Sequence, residues 1–211
     1  ALNFITDRQP LEVERVDPEH RRTIAAIALD IGLIEANPER ALRLLESANR
    51  TYRSLGDEGG IIISLTKIGR EHMVCGRIDE ARSAFDSASE AVSTASDPES
   101  IWFWHATLLF HRAELASLPS VKDWDAAIHL IDQALDLHYP NSEHNPHFKR
   151  HAELHGLMAY TYANQGESAN CQRSLRSALV ALKCITDETA RVRVRHLTRI
   201  DEVIALIAPT I

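Results

Sequence analysis

Cysteine, glycine, proline and aromatic residues are all scarce: the 211 residues hold 3 Cys, 8 Gly and 8 Pro, and aromatics make up 6%. So few turn-formers cannot supply the many tight hairpins that an all-β sandwich or barrel of this length needs. Cys75, Cys171 and Cys184 are odd in number and include no CxxC. That pattern predicts buried thiols in a reducing, cytoplasmic setting and no disulfide framework. The longest uncharged apolar runs, such as Ile61 to Leu65 and Ile101 to Trp104, fall far short of the ~20 residues that span a bilayer. The first ten residues show no basic start followed by an apolar core, so no secretory signal is expected. A net charge of −7 offers no positive field to gather phosphates, which disfavours direct nucleic-acid binding by this segment. GxGxxG, GKS or GKT, and GxSxG are missing as well. The chain opens on Ala, which suits a processed or excised piece of a longer protein.

What is present is a repeat. Asp17, Asp57 and Asp97 stand 40 residues apart, and Asp17-Pro18-Glu19 returns as Asp97-Pro98-Glu99. Each triplet predicts a helix start, because Asp accepts from free first-turn amides, Pro at the first position loses no needed donor, and Glu complements the helix dipole. Second helices open near Pro38, Ile78, Trp124 and Ala169, each followed shortly by a small residue: Ala41, Ala81, Ala127 and Cys171. Aligned on these, Leu45, Phe85, Ile131 and Leu175 fall four positions on, and Ala48, Ala88, Ala134 and Ala178 three further. This is one helix face, on which small residues allow close helix approach and the larger one fills the groove. Successive offsets are 40, 46 and 44 residues, and loops absorb the difference.

The pattern predicts eight helices in four antiparallel pairs, in units 17–56, 57–96, 97–140 and 145–185, after a leader of uncertain order at 1–16. A ninth helix near 187–207 caps the stack, with Ala190, Val194, Leu197, Ile200, Ile204 and Ile207 as its apolar stripe. No linker divides the chain, so one all-α solenoid domain is expected.

Leu65, Ile68, Gly69, His72, Gly76, Ala81, Phe85 and Ala88 carry the spacing of the tetratricopeptide repeat (TPR), and the chain resembles that superfamily. The fourth unit repeats the likeness through Met158, Ala159, Tyr162, Gly166, Leu175 and Ala178, with Cys171 in place of Ala. The resemblance implies a right-handed α-solenoid of long-helix type. It also implies a non-catalytic interaction or sensor module of a bacterial regulatory protein that holds a peptide, effector or protein partner in its concave groove. First helices line that groove in the family. Carrying the pattern over gives Asp30, Leu33, Ile63, Thr66, Arg70, Met73, Phe103, Phe110, Glu114, Tyr160 and Asn164, with Arg70, Met73, Phe110, Tyr160 and Asn164 as the chosen site. Packing of the aromatics against a neighbouring pair and a surface ion pair at Arg70 explain the same residues without a ligand. The family's carboxylate clamp of Lys, Asn and Arg is not reproduced, so capture of acidic chaperone tails is unsupported.

Two alternatives stand beside this reading. Self-association, as a homodimer, would use the ninth helix or Trp102 to Trp104. A metal-dependent hydrolase would use His147, His151 and His155, which recur every four residues, with Glu153. The local string is His151-Ala152-Glu153-Leu154-His155, not HExxH, and three ligands on one straight helix do not close a tetrahedron. Structural or surface histidines are the favoured reading, and no cofactor or metal is expected. The arginines Arg191, Arg193 and Arg195 spread over different helix faces, which suits a solvated cap.

Overall fold

The computed structural model describes residues 17–138, 148–197 and 199–207, and these are helical throughout their regular structure. Helices run α1 (Pro18–Ile34), α2 (Pro38–Leu55), α3 (Glu58–Val74), α4 (Ile78–Ser93), α5 (Trp102–Ala116), α6 (Trp124–His138), α7 (Phe148–Gln165), α8 (Ser168–Lys183), α9 (Glu188–Leu197) and α10 (Ile200–Ile207). Among the described residues no helix is long and apolar enough to cross a membrane.

Local chemistry sets several of these bounds. Asp17 caps α1 by accepting from the Glu19 amide at 3.1 Å, and Pro18 occupies the first turn. Asn37 caps α2 through the Arg40 amide at 3.0 Å, again ahead of a proline, and Asp57 caps α3 through the Gly60 amide at 2.9 Å. Each cap satisfies a first-turn donor that the helix leaves free. Gly76 and Gly166, just past α3 and α7, have φ of 73° and 79°, the left-handed conformation that closes a helix end and that a side chain would strain.

The second Asp-Pro-Glu triplet behaves differently from the first. Asp97 accepts from the amides of Glu99 and Ser100, but this forms a turn, and α5 begins only at Trp102. Ser100 closes that turn by donating its hydroxyl to the Asp97 carbonyl at 2.9 Å. Here the capping carboxylate and serine support a local turn in place of a first helical turn.

The chain divides into two compact units, with the boundary at Leu108/Leu109 inside α5. That boundary falls within a continuous helix, α5.

In the first unit α1 packs on α2, α2 on α3, and α3 on α4. Ala25, Ala28, Leu29, Leu42, Leu45, Ala48, Tyr52, Ile63 and Ile68 make its core. Asn49 is buried between α2 and α3: its amide donates to the Ser64 hydroxyl at 2.8 Å, and its oxygen accepts from Arg53 Nε at 3.0 Å. With both ends paired, the amide pins the two helices without an unmet desolvation cost. Hairpin ends are tied at nearly the repeat distance, Arg77 to Glu39 at 2.8 Å and the Ser96 amide to Glu58 at 3.0 Å.

In the second unit Leu109, Phe110 and Ala113 of α5 share a core with Ile131 and Ala134 of α6 and Leu154, Leu157 and Met158 of α7. A second cluster joins α7, α8 and α10 through Ala159, Tyr160, Cys171, Leu175, Ala178, Ile200 and Val203. The four small residues aligned in the sequence, Ala41, Ala81, Ala127 and Cys171, are all fully buried, as are Ala88, Ala134 and Ala178.

The expected ninth helix is two. One helix ends at Leu197 and the next begins at Ile200, with Arg199 between them at φ of 52°. Turning there lets α10 bury Ile200 and Val203 on the preceding hairpin and leaves Ile204 exposed, so the straight-helix stripe is not kept beyond the break. Cysteine burial is also uneven: Cys171 is buried, Cys75 is half-buried, and Cys184, beyond the end of α8, is exposed.

Candidate interaction sites

The sequence-chosen residues divide between the units. In the first, α3 carries Arg70 and Met73, both half-buried, while Val74 beside them is exposed. Among the described residues no carboxylate pairs with Arg70, so the surface ion pair that would explain it without a ligand is not formed. Ile63 and Thr66, also expected in the groove, are buried; Thr66 donates its hydroxyl to the Ile62 carbonyl at 2.7 Å and packs inward. Asp30 and Leu33 are exposed on α1.

In the second unit Phe110 and Tyr160 are buried, each beneath an arginine. The Arg150 guanidinium carbon lies 4.7 Å from the centre of the Phe110 ring, and that of Arg199 lies 4.5 Å from the Tyr160 ring. Both rings are buried, and a guanidinium at this distance gains a cation–π contact with each. Asn164 is exposed, and its amide donates back to the Tyr160 carbonyl at 2.8 Å.

Charge lies deeper here than a soluble helix face requires. Glu153 is buried, and its Oε2 receives Arg150 Nη1 at 2.8 Å. The His111 ring, also buried, holds Glu114 Oε2 against its Nδ1 at 2.6 Å. A buried ion pair such as Arg150–Glu153 adds little net stability, yet losing one partner costs about 3–5 kcal/mol. Arg150 and His111 were missed in the sequence; Arg150 lies 40 residues beyond Phe110 and not the 44 that separates the third and fourth units, so the repeat spacing gave no signal for it.

Burial, and then the neighbouring His151, holds the His155 imidazole below the usual histidine range. Its Nδ1 is buried and meets no hydrogen-bond partner among the described residues. His151 and His155 stand with ring centres 6.4 Å apart, while His147 lies outside the described residues. Among the described residues, no group of three His, Cys, Asp or Glu is placed to hold a metal ion.

The first unit also holds a cleft of about 440 Å³ lined by residues that the sequence did not bring together: Arg22, Asp57, Glu58, Ser96, Ser100 and Trp104, with Gly56, Gly59 and Ile101. It forms where the start of α1, the turn before α3 and the turn before α5 meet. Arg22 Nε donates to Asp57 Oδ2 at 2.7 Å, and both Glu58 oxygens hold the Ser96 amide at 3.0 Å.

No family model matches the sequence, and comparison with curated proteins gives no match.

Proposed function

We propose that the chain is a non-catalytic binding module of tetratricopeptide-repeat type, a right-handed α-solenoid whose first helices present a concave surface to a peptide or protein partner within a cytoplasmic bacterial regulator. The observation that carries this reading is Arg70. Arg70 is half-buried as a residue and its guanidinium pairs with no described carboxylate, so a carboxylate brought by a partner can form a charge-assisted pair there without displacing an existing one. Met73, one turn on, adds a pliable apolar surface of the kind that adapts to peptide side chains. Recurrence of fully buried small residues at Ala41, Ala81, Ala127 and Cys171 supports the repeat architecture.

A random peptide array probed with the whole chain tests the reading. Peptides that bind should contain Asp or Glu, and Arg70→Ala should weaken them roughly tenfold or more, as expected for loss of a charge-assisted hydrogen bond. Its helical circular dichroism should be unchanged. Equal binding by Arg70→Ala and Met73→Ala, or no peptide bound by the native chain, overturns it.

Self-association is favoured by a separate observation, the exposed stripe of Ile24, Ile27 and Ile34 along α1. Sedimentation of Ile27→Arg against the native chain distinguishes this reading: a dimer that the substitution dissolves supports it, and a concentration-independent monomer removes it.

A further inference from the structure

The geometry points to a second binding site, separate from Arg70: the cleft of the first unit receives a cationic side chain, a guanidinium or ammonium group of a partner peptide, and Arg22 is an internal occupant that such a group displaces. Three side chains on the cleft wall carry charge, the cation Arg22 and the carboxylates Asp57 and Glu58, so removal of Arg22 leaves two negative charges facing the space. Arg22 is held lightly. Its side chain is 54% exposed, and among the described residues its one polar contact runs from Nε to Asp57. An ion pair this exposed is worth little, so an entering cation gives up little by replacing it.

The carboxylates keep their places when Arg22 leaves. Asp57 Oδ1 still caps α3 through the Gly60 amide, and Glu58 is held by the Ser96 amide and hydroxyl at 3.0 and 3.1 Å. Such fixed acceptors need no reorganisation to meet a ligand. Trp104 also lines the cleft, while the rest of its side chain packs on the core of the unit. Gly59 lets the indole stand close, because a Cβ there would lie 3.0 Å from the indole Nε1. No described residue accepts a hydrogen bond from this indole N–H, so it is a sensitive reporter at the cleft.

The test is a titration of the full chain with acetyl-Gly-Arg-Gly-amide, followed at the Trp104 indole N–H resonance and assigned with Trp104→Phe. The lysine and glutamate versions of the peptide run alongside. A saturable shift with the arginine peptide, a weaker one with lysine and none with glutamate are expected. Arg22→Ala should tighten arginine-peptide binding about threefold by removing the internal competitor. Asp57→Asn, which keeps the helix cap, should weaken it by a similar factor. Arg70→Ala should leave the titration unaltered, so this site and the α3 surface fail or stand separately. No saturable shift at tens of millimolar peptide, an equal response to the glutamate peptide, or unchanged affinity in Arg22→Ala overturns the assignment.

Discussion

Gly69→Ala adds one methyl group where α3 meets α4, and the structure fixes its cost. A Cβ at 69 would stand 2.5, 2.6 and 3.0 Å from Cε1, Cδ1 and Cζ of the Phe85 ring. That ring is 1% exposed and cannot swing into solvent. Overpacking of this kind costs about 1–3 kcal/mol, and contacts below 3 Å to a confined ring put the site at the upper end. Alanine returns roughly 1 kcal/mol through its better helix propensity. The net expectation is a loss of about 1–2 kcal/mol. Because the chain has two units, a single denaturation curve need not be two-state, so hydrogen exchange should be read on peptides from α3 and α4. Phe85→Leu alone should destabilise by leaving space. The double substitution should cost less than the sum, because the added methyl then fills what the ring vacates. Stabilisation by Gly69→Ala of the size that propensity alone supplies would refute the packing argument.

Two further outcomes follow from the second unit. The His155 imidazole is held below its ordinary range by burial, so the unfolded chain binds a proton more readily than the folded one. Stability from this group is therefore complete above about pH 6.5 and is lost as pH falls below it. His155→Gln should flatten the difference between melts at neutral and mildly acidic pH, and an identical pH slope in the variant contradicts this. At the α9–α10 break, Arg199→Gly relieves a left-handed conformation that Arg199→Ala retains, while both lose the contact with Tyr160. Thermal melts should rank the glycine variant about 1 kcal/mol above the alanine variant; the reverse order contradicts the assigned backbone strain.

Much of the helical plan was legible because its signals are local. Asp17-Pro18, Asn37-Pro38 and Asp57 act within one turn of themselves, and the aligned Ala81, Phe85 and Ala88 lie on one buried face. Where a local signal has two outcomes, the sequence reading strayed: Asp97 caps a turn that delays α5, and the arginine-rich end accommodates a left-handed residue that no periodicity reveals. Burial of Ile63 and Thr66 shows that a position carried over by resemblance does not decide which side of a helix meets solvent. Phe110 and Tyr160 were picked out as aromatics, but their covering by Arg150 and Arg199 depends on contacts between distant helices. The cleft at Arg22, Asp57 and Trp104 was hidden for the same reason, since three separate helix entrances compose it.

The most direct measurement is a leucine scan of the four aligned small positions, Ala41, Ala81, Ala127 and Cys171, each fully buried at the same place in its helix. The repeat account predicts that every one of the four leucine variants loses at least about 1 kcal/mol of local stability by hydrogen exchange, while leucine at exposed Arg82 or Arg173 costs almost nothing. Tolerance of leucine at two or more of the four would contradict the claim that one packing rule recurs along the chain.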